Sequence, residues 1–175
     1  MKYNINIMGR DELLYKCKSK DLNKCIVISI NCPNNPTEIK NENIIDILKL
    51  EFHDIETPKE NLVAMSVADG FKIKEFIEKY KNTVDSIIIH CTAGISRSAG
   101  IGCAIAMYLN GSDDYLWASG NYIPSKRCYK ITLEALGLEI SEDEIKEKQM
   151  LSEKGFEPAF NKFCTDYGIK ISDMF

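Results

Sequence analysis

One stretch of nine residues constrains the fold of this chain more than any other part of the sequence. Residues 90–98 read His-Cys-Thr-Ala-Gly-Ile-Ser-Arg-Ser, and they follow the short apolar run Ser-Ile-Ile-Ile at residues 86–89. That run is typical of a buried strand, and the small and apolar residues at 98–109 are typical of a helix packed on a sheet. The stretch therefore predicts a strand, a tight loop and a helix in succession, which is the unit of α/β folds.

The loop in this unit has the residue types that bind a phosphate. Its backbone N–H groups can point inward as an anion nest, and the N-terminus of the following helix adds partial positive charge. Arg97 supplies a planar cation that grips two phosphate oxygens, and Gly94 allows a backbone conformation closed to residues with a Cβ. The candidate phosphate-binding residues are Thr92, Ala93, Gly94, Ile95, Ser96 and Arg97.

Cys91 is the candidate nucleophile of this loop. A helix N-terminus and a nearby arginine favour the thiolate, which is the form in which cysteine attacks phosphorus. Ser98 can hydrogen-bond the sulfur, and His90 is expected to hold the loop by bonding its backbone without transferring protons. A lone cysteine is more often a small buried hydrophobe than a nucleophile. The other cysteines have no arginine six residues later, and we interpret them as core or surface thiols: Cys17, Cys25, Cys32, Cys103, Cys128 and Cys164.

Residues 90–98 resemble the signature His-Cys-x-x-Gly-x-x-Arg-Ser/Thr of the cysteine-dependent protein tyrosine phosphatase superfamily, in its dual-specificity-like branch. The arrangement is similar to that of small bacterial and bacteriophage members. The resemblance implies an α/β fold with a mainly parallel central sheet flanked by helices, and a cysteinyl-phosphate intermediate that needs no metal and no cofactor. It extends over residues 1–137, and only residues 90–98 are strongly specific.

The resemblance also implies an aspartate upstream of the cysteine, which protonates the leaving oxygen and then activates water. Asp54 is our candidate because it falls just past the end of a predicted strand at residues 44–52. A single aspartate in a charged loop is usually only solvated, and the spacing to Cys91 is a few residues longer than the family usually has. Three other carboxylates therefore stay open as the acid: Glu56, Glu60 and Asp69. The neighbouring His53 is expected at the surface.

Apolar patterns elsewhere predict strands and helices that alternate along one domain, residues 1–175. The family core would be residues 1–137, and residues 138–175 would be a C-terminal helical extension that begins with a capping box, Ser141-x-x-Glu144. Further strands are predicted at residues 3–7, 25–30 and 44–52, and helices at 12–18, Val67–Tyr80, 131–136, 140–151 and 156–167. Lys126, Arg127 and Lys130 either border the site or form a solvated basic end of a helix.

Charge and composition exclude several classes of function. The formal net charge of −4 argues against a nucleic-acid or anionic-membrane surface, so neither nucleic acid nor membrane is expected as a partner. Two histidines, and seven cysteines without CxxC spacing, do not suggest a metal site. The absence of an apolar stretch of membrane length and of a signal-peptide pattern predicts a reduced, cytoplasmic protein.

The predicted function is phosphomonoester hydrolysis by a protein tyrosine or dual-specificity phosphatase. Relatives that act on phosphoinositides often carry lysine between the cysteine and the arginine, whereas this loop is neutral. The neutral loop favours a single phosphate on a phosphorylated protein or peptide. Alternatives are a phosphatase of RNA 5′-phosphates, phosphoinositides or small phosphoesters, and a catalytically weak phosphate-binding module, or pseudophosphatase. No feature of the sequence indicates an oligomeric state.

Overall fold

The computed structural model describes residues 2–19 and 21–166, and for residue 157 and residues 159–166 it describes the backbone alone. The first half of this part of the chain contains all four strands and two of the helices, and helices make up the second half. The elements are β1 Asn4–Gly9, α1 Arg10–Ser19, β2 Cys25–Asn31, β3 Ile44–Glu51, α2 Val67–Tyr80, β4 Ser86–Cys91, α3 Arg97–Asn110, α4 Asp114–Trp117, α5 Lys126–Leu136 and α6 Glu142–Asp166.

The four strands form one parallel sheet in the order β1-β4-β2-β3. Every residue of β2 is buried, as expected for a central strand covered on both faces. Gly9 pairs with Cys91 and Asn31 with Glu51, so the strands end at one edge of the sheet. The loops that leave this edge therefore meet there, as the ligand-binding loops of open α/β sheets do.

Hydrophobic side chains cover both faces of the sheet. Successive residues of a strand point to opposite faces. Accordingly Ile26 and Ile28 lie in the larger core cluster, which includes buried residues of α2, α3 and α5. Val27 lies in a smaller cluster on the other face, with Leu13 of α1. The predicted α/β fold with a parallel sheet flanked by helices is confirmed.

Two elements of the second half differ from the prediction. Helix α5 begins at Lys126 and not at residue 131, because the Ser125 side chain caps it by accepting a hydrogen bond from Cys128 N at 3.2 Å. The short helix α4 was not predicted. Its one turn is too short to show a hydrophobic period.

The prediction of two helices at residues 140–151 and 156–167 is wrong. One helix, α6, runs without a break from Glu142 to Asp166, through Gly155 and Pro158, and residue 167 lies outside the described part of the chain. A Cβ at Gly155 would lie 3.1 Å from Gly120 N, so this glycine lets the helix backbone approach a loop. Gly155 is therefore a point of close packing between α6 and the loop that contains Gly120.

The C-terminal helical extension packs against the rest of the described chain. Its predicted capping box is present, with Ser141 Oγ accepting from Glu144 N at 3.2 Å. Ile145 is fully buried in the larger core cluster. Glu142 pairs with both Lys126, at 2.9 Å, and Lys130, at 2.5 Å, so these two lysines of α5 face α6. Among the described residues, no helix has the length and apolar character needed to cross a membrane.

Candidate active site

The loop of residues 91–97 joins β4 to α3 and lies against the end of β1. Arg10 N donates a hydrogen bond to Thr92 O at 3.1 Å. Gly94 has a φ of +81°, and a Cβ at this position would approach Met8 C and Gly9 N to 2.4 Å. Only glycine fits such a conformation and such a contact, so the role predicted for Gly94 agrees with the geometry of the loop.

The Cys91 sulfur lies at the floor of this loop, and the residue is 2% exposed. Gly94 N donates to Sγ at 3.3 Å, and Ser98 Oγ lies 3.1 Å from the same sulfur. Both groups are in position to hydrogen-bond a thiolate. The contact predicted for Ser98 is therefore present.

His90 lies behind the loop and is fully buried. Its Nε2 is 2.8 Å from Ser29 Oγ, and its Nδ1 is 3.4 Å from Cys91 O. Burial, helped by the charges of Arg10 and Arg97, lowers the pKa of His90 to about 4. The ring is therefore neutral at physiological pH, and its contacts are those of a residue that holds the loop.

The Arg97 guanidinium is fixed by groups from two other segments. Nη1 donates to Phe52 O at 2.9 Å and contacts Cys32 Sγ at 3.6 Å, while Nη2 donates to Thr92 Oγ1 at 3.1 Å. Its Nε is buried without a hydrogen bond and lies 4.0 Å from Asp54 Oδ2. An unpaired buried donor costs about 1–3 kcal/mol, and a phosphate oxygen at this point would remove that cost.

Asp54 lies beside this loop, three residues beyond the end of β3. Its Oδ1 accepts a hydrogen bond from Ser96 Oγ at 2.8 Å, and its side chain is 45% exposed. The carboxylate therefore combines contact with the 91–97 loop and access to solvent. A group that gives a proton to a leaving oxygen and takes one from water needs both.

The other candidate acids have different surroundings. Asp69 forms a capping box with Ser66 at the start of α2, and Ser66 Oγ donates to it at 2.7 Å. Burial raises the pKa of Asp69, but the hydrogen bonds from Ser66 and Lys72 outweigh it and hold the pKa below its usual value. Glu56 accepts from Arg127 N at 2.7 Å, and Glu60 is exposed. Asp54 is thus the candidate whose carboxylate hydrogen-bonds the 91–97 loop.

Sequence reasoning missed several neighbours of the site. Cys32 and the Phe52 carbonyl contact Arg97, although nothing in their local sequence marks them. His53, expected at the surface, is half-buried, and its Nδ1 accepts from Val63 N at 2.9 Å. Strand order supplies the signal for Cys32 and Phe52, because both follow strands that end at the edge where Cys91 lies. No group of three or more His, Cys, Asp or Glu side chains suited to a metal ion lies among the described residues.

Comparisons with known proteins give one matching family and several structures of similar fold. The family described as dual specificity phosphatase, catalytic domain, matches residues 7–114. The crystal structure of DUSP15 is similar in fold, with a TM-score of 0.50 and 16% identity over 88% of this chain and 94% of that one. At such identity the likeness concerns the fold alone.

Two further structures are similar at lower TM-scores. The human tyrosine phosphatase-like serine/threonine/tyrosine-interacting protein has a TM-score of 0.47 and 18% identity over 77% of this chain and 85% of that one. PTPMT1 in complex with PI(5)P has a TM-score of 0.49 and 16% identity over 82% of this chain and 90% of that one. No curated protein sequence matches the chain significantly.

Proposed function

This chain belongs to the dual specificity phosphatase family, and on that premise we propose that it hydrolyses phosphomonoesters through a cysteinyl-phosphate intermediate. The observation that carries the proposal is the meeting of Cys91 Sγ, the Arg97 guanidinium and the Asp54 carboxylate at one loop. Residues 1–175 would form one phosphatase domain, with residues 138–175 as its extension. The substrate class is a separate, finer part of the proposal.

In the first step, the Cys91 thiolate attacks phosphorus, and the bond from phosphorus to the leaving oxygen breaks. Asp54 transfers its proton to that oxygen, so the product leaves as a neutral alcohol or phenol. The N–H groups of the 91–97 loop and the Arg97 guanidinium bind the equatorial oxygens, on which negative charge is spread in the transition state.

In the second step, water attacks the phosphorus of the cysteinyl phosphate. The Asp54 carboxylate takes a proton from this water, the sulfur–phosphorus bond breaks, and inorganic phosphate forms. The sulfur leaves as a thiolate, and Ser98 Oγ and Gly94 N lie 3.1 and 3.3 Å from it. Donors at these distances stabilise the leaving sulfur, which is the role we assign to Ser98.

For the substrate, we propose a protein side chain that carries one phosphate. Two exposed apolar residues lie side by side at the site, because Ile123 N donates to Ile95 O at 3.1 Å. Such a rim fits an aromatic ring or a neighbouring apolar residue better than a headgroup with several phosphates. The site of action would be the reducing cytoplasm, since the cysteines whose side chains are described are all free.

The test is turnover of a substrate panel by the full chain, with Cys91→Ser as the blank. The panel comprises an aryl phosphate, phosphotyrosine and phosphothreonine peptides, a phosphoinositide and an RNA 5′-phosphate. We expect the peptides to be preferred, with activity that survives EDTA and is blocked by vanadate. Preference for the lipid or RNA would overturn the substrate class. Vanadate binding without turnover of any substrate would indicate a phosphate-binding module instead.

A further inference from the structure

The segment that carries Asp54 has little regular structure of its own to hold it. We call residues 53–66, between β3 and α2, the acid loop, and most of its residues are exposed. At its base, His53 N donates to Val63 O at 2.7 Å. Loops of this length without regular structure are uncommon in compact domains. The position of the Asp54 carboxylate therefore depends on what else holds the acid loop.

Arg127, in the first turn of α5, binds the acid loop at two separate places. Its backbone N donates to Glu56 Oε2 at 2.7 Å, and its Nη1 donates to Glu56 O at 3.3 Å. Its Nε donates to Met65 O at 2.8 Å, near the start of α2. One residue thus ties both the part of the loop next to Asp54 and its far end to the same helix.

The same stretch of chain also binds the 91–97 loop. Ser125 N donates to Ser96 O at 3.1 Å, and Ser96 Oγ donates to Asp54 Oδ1 at 2.8 Å. The contacts close a ring that runs from Asp54 to Glu56, Arg127, Ser125 and Ser96 and back to Asp54. Any movement of the acid loop away from the phosphate-binding loop therefore strains or breaks one of these hydrogen bonds.

Arg127 is distinguished from the basic residues beside it. Lys126 and Lys130 pair with Glu142 of α6 and so serve the C-terminal extension. Arg127 makes its contacts with the acid loop, and Glu56 places a carboxylate against the N-terminus of α5, where negative charge is stabilised. Glu56, which the sequence left open as the acid, is engaged in holding the loop.

We propose that Arg127 and Glu56 are positioning residues that hold Asp54 within proton-transfer distance of the leaving oxygen. The proposal rests on the proposed function, because it assigns Asp54 the role of acid. Misplacement of a reacting group by about 1 Å can cost ~10²-fold in rate. Loss of the hydrogen bonds between Arg127 and the acid loop should therefore slow the transfer of the proton and leave phosphate binding largely intact.

The experiment compares Arg127→Ala, Arg127→Lys, Glu56→Ala and Glu56→Gln with Lys126→Ala as the matched control. Each full-length variant is assayed on a phosphopeptide and on an aryl phosphate with a good leaving group. We expect Arg127→Ala and Glu56→Ala to lower kcat on the phosphopeptide by ~10–10²-fold with little change in KM, and to lose much less on the aryl phosphate. Glu56→Gln keeps an acceptor for Arg127 N and should retain most activity, as should Lys126→Ala.

Amide hydrogen exchange in the acid loop gives a reading that does not need activity. We expect faster exchange at residues 53–66 in Arg127→Ala than in the wild type and in Lys126→Ala. Equal exchange in Arg127→Ala and the wild type would overturn the positioning role of Arg127, whether or not the protein is active. If Arg127→Ala exchanges faster but the wild type has no phosphatase activity, the proposed function alone fails. Equal losses on both substrates with an unchanged pH profile would reduce Arg127 to a structural role.

Should Arg127→Ala fail to fold, Arg127→Lys and Glu56→Ala carry the same comparison. Loss of the basic pH limb in Glu56→Gln would make Glu56 the acid and also overturn the proposal.

Discussion

The two loops that meet at the site are built in opposite ways. The 91–97 loop is fixed by neighbouring backbone: the end of β4, the positive φ of Gly94 against β1, and the start of α3. The acid loop is largely exposed and is held by side chains, above all by Arg127 from a distant helix. The difference teaches that backbone geometry sets the conformation of the 91–97 loop, while side-chain contacts between residues far apart in the chain set the position of the acid loop.

The largest effect should come from removing the nucleophile within the locally built loop. Cys91→Ser is expected to lower kcat by at least ~10⁴-fold, because a neutral hydroxyl replaces the thiolate. Phosphate or vanadate binding, measured by calorimetry, should persist, since the loop N–H groups and Arg97 remain. Activity well above background would remove Cys91 as the nucleophile. Loss of anion binding would show that the loop depends on its sulfur more than on its backbone.

The next largest effect should come from a substitution in the acid loop, which residues of a distant helix hold in place. Asp54→Asn should lower kcat on a phosphopeptide by ~10²–10⁴-fold, because its leaving group needs a proton. The loss should shrink on an aryl phosphate with a good leaving group, and the basic limb of the pH profile should flatten. Glu60→Gln and Asp69→Asn serve as controls. If either of them shows both signs while Asp54→Asn shows neither, the acid is that residue and not Asp54.

Arg97→Lys probes the point where the two loops face each other. We expect a loss of at least ~10²-fold in kcat/KM, because a point charge cannot hold two phosphate oxygens through the transition state. Steady-state kinetics with a thermal melt would separate this loss from unfolding, since Arg97 also binds Phe52 O. Near-normal kinetics in the lysine variant would mean that the guanidinium fork does not grip the phosphate.

The smallest effect concerns the stability of the fold around the 91–97 loop, behind which His90 is buried. The pKa of His90 is about 4 in the folded protein against an ordinary 6.5, so between these values the unfolded chain binds a proton that the folded chain does not. Protonation of His90 therefore favours the unfolded chain below about pH 6.5, and the stability that is lost by pH 4 is on the order of 3 kcal/mol. Denaturant titrations at pH 7 and pH 4.5 should show a smaller pH effect in His90→Asn than in the wild type. Equal pH effects in the two proteins would contradict the role of buried, neutral His90.

Prediction from the sequence succeeded where the signal is local. Helix α2 has the predicted bounds because an apolar stripe with a 3.6-residue period continues through it. The Ser66-x-x-Asp69 capping box at its start was readable in the same way, and reading it would have argued against Asp69 as the acid. The placement of Cys91, Arg97 and Ser98 also follows from the consecutive residues of one strand-loop-helix unit.

Prediction stopped where structure depends on contacts between distant residues. Nothing near Arg127 indicates that it binds Glu56 and Met65, because those partners are brought together only by the docking of α5. Gly155 is a second example of a contact between distant residues. Glycine by itself weakens a helix, but here its close packing on Gly120 accommodates it within α6. Tertiary packing overrules local propensity at Gly155, and at Arg127 it brings together residues that no local pattern connects.

The ring through Ser125 and Arg127 has a consequence for the order of synthesis. The proposed reacting groups all lie within the first 97 residues, but the hydrogen bonds that tie both loops to α5 come from residues 125 and 127. A growing chain that has released only its first hundred residues would carry the nucleophile without its positioned acid. Because contacts of such wide separation form late in folding, dephosphorylation should begin only after α5 has emerged and docked.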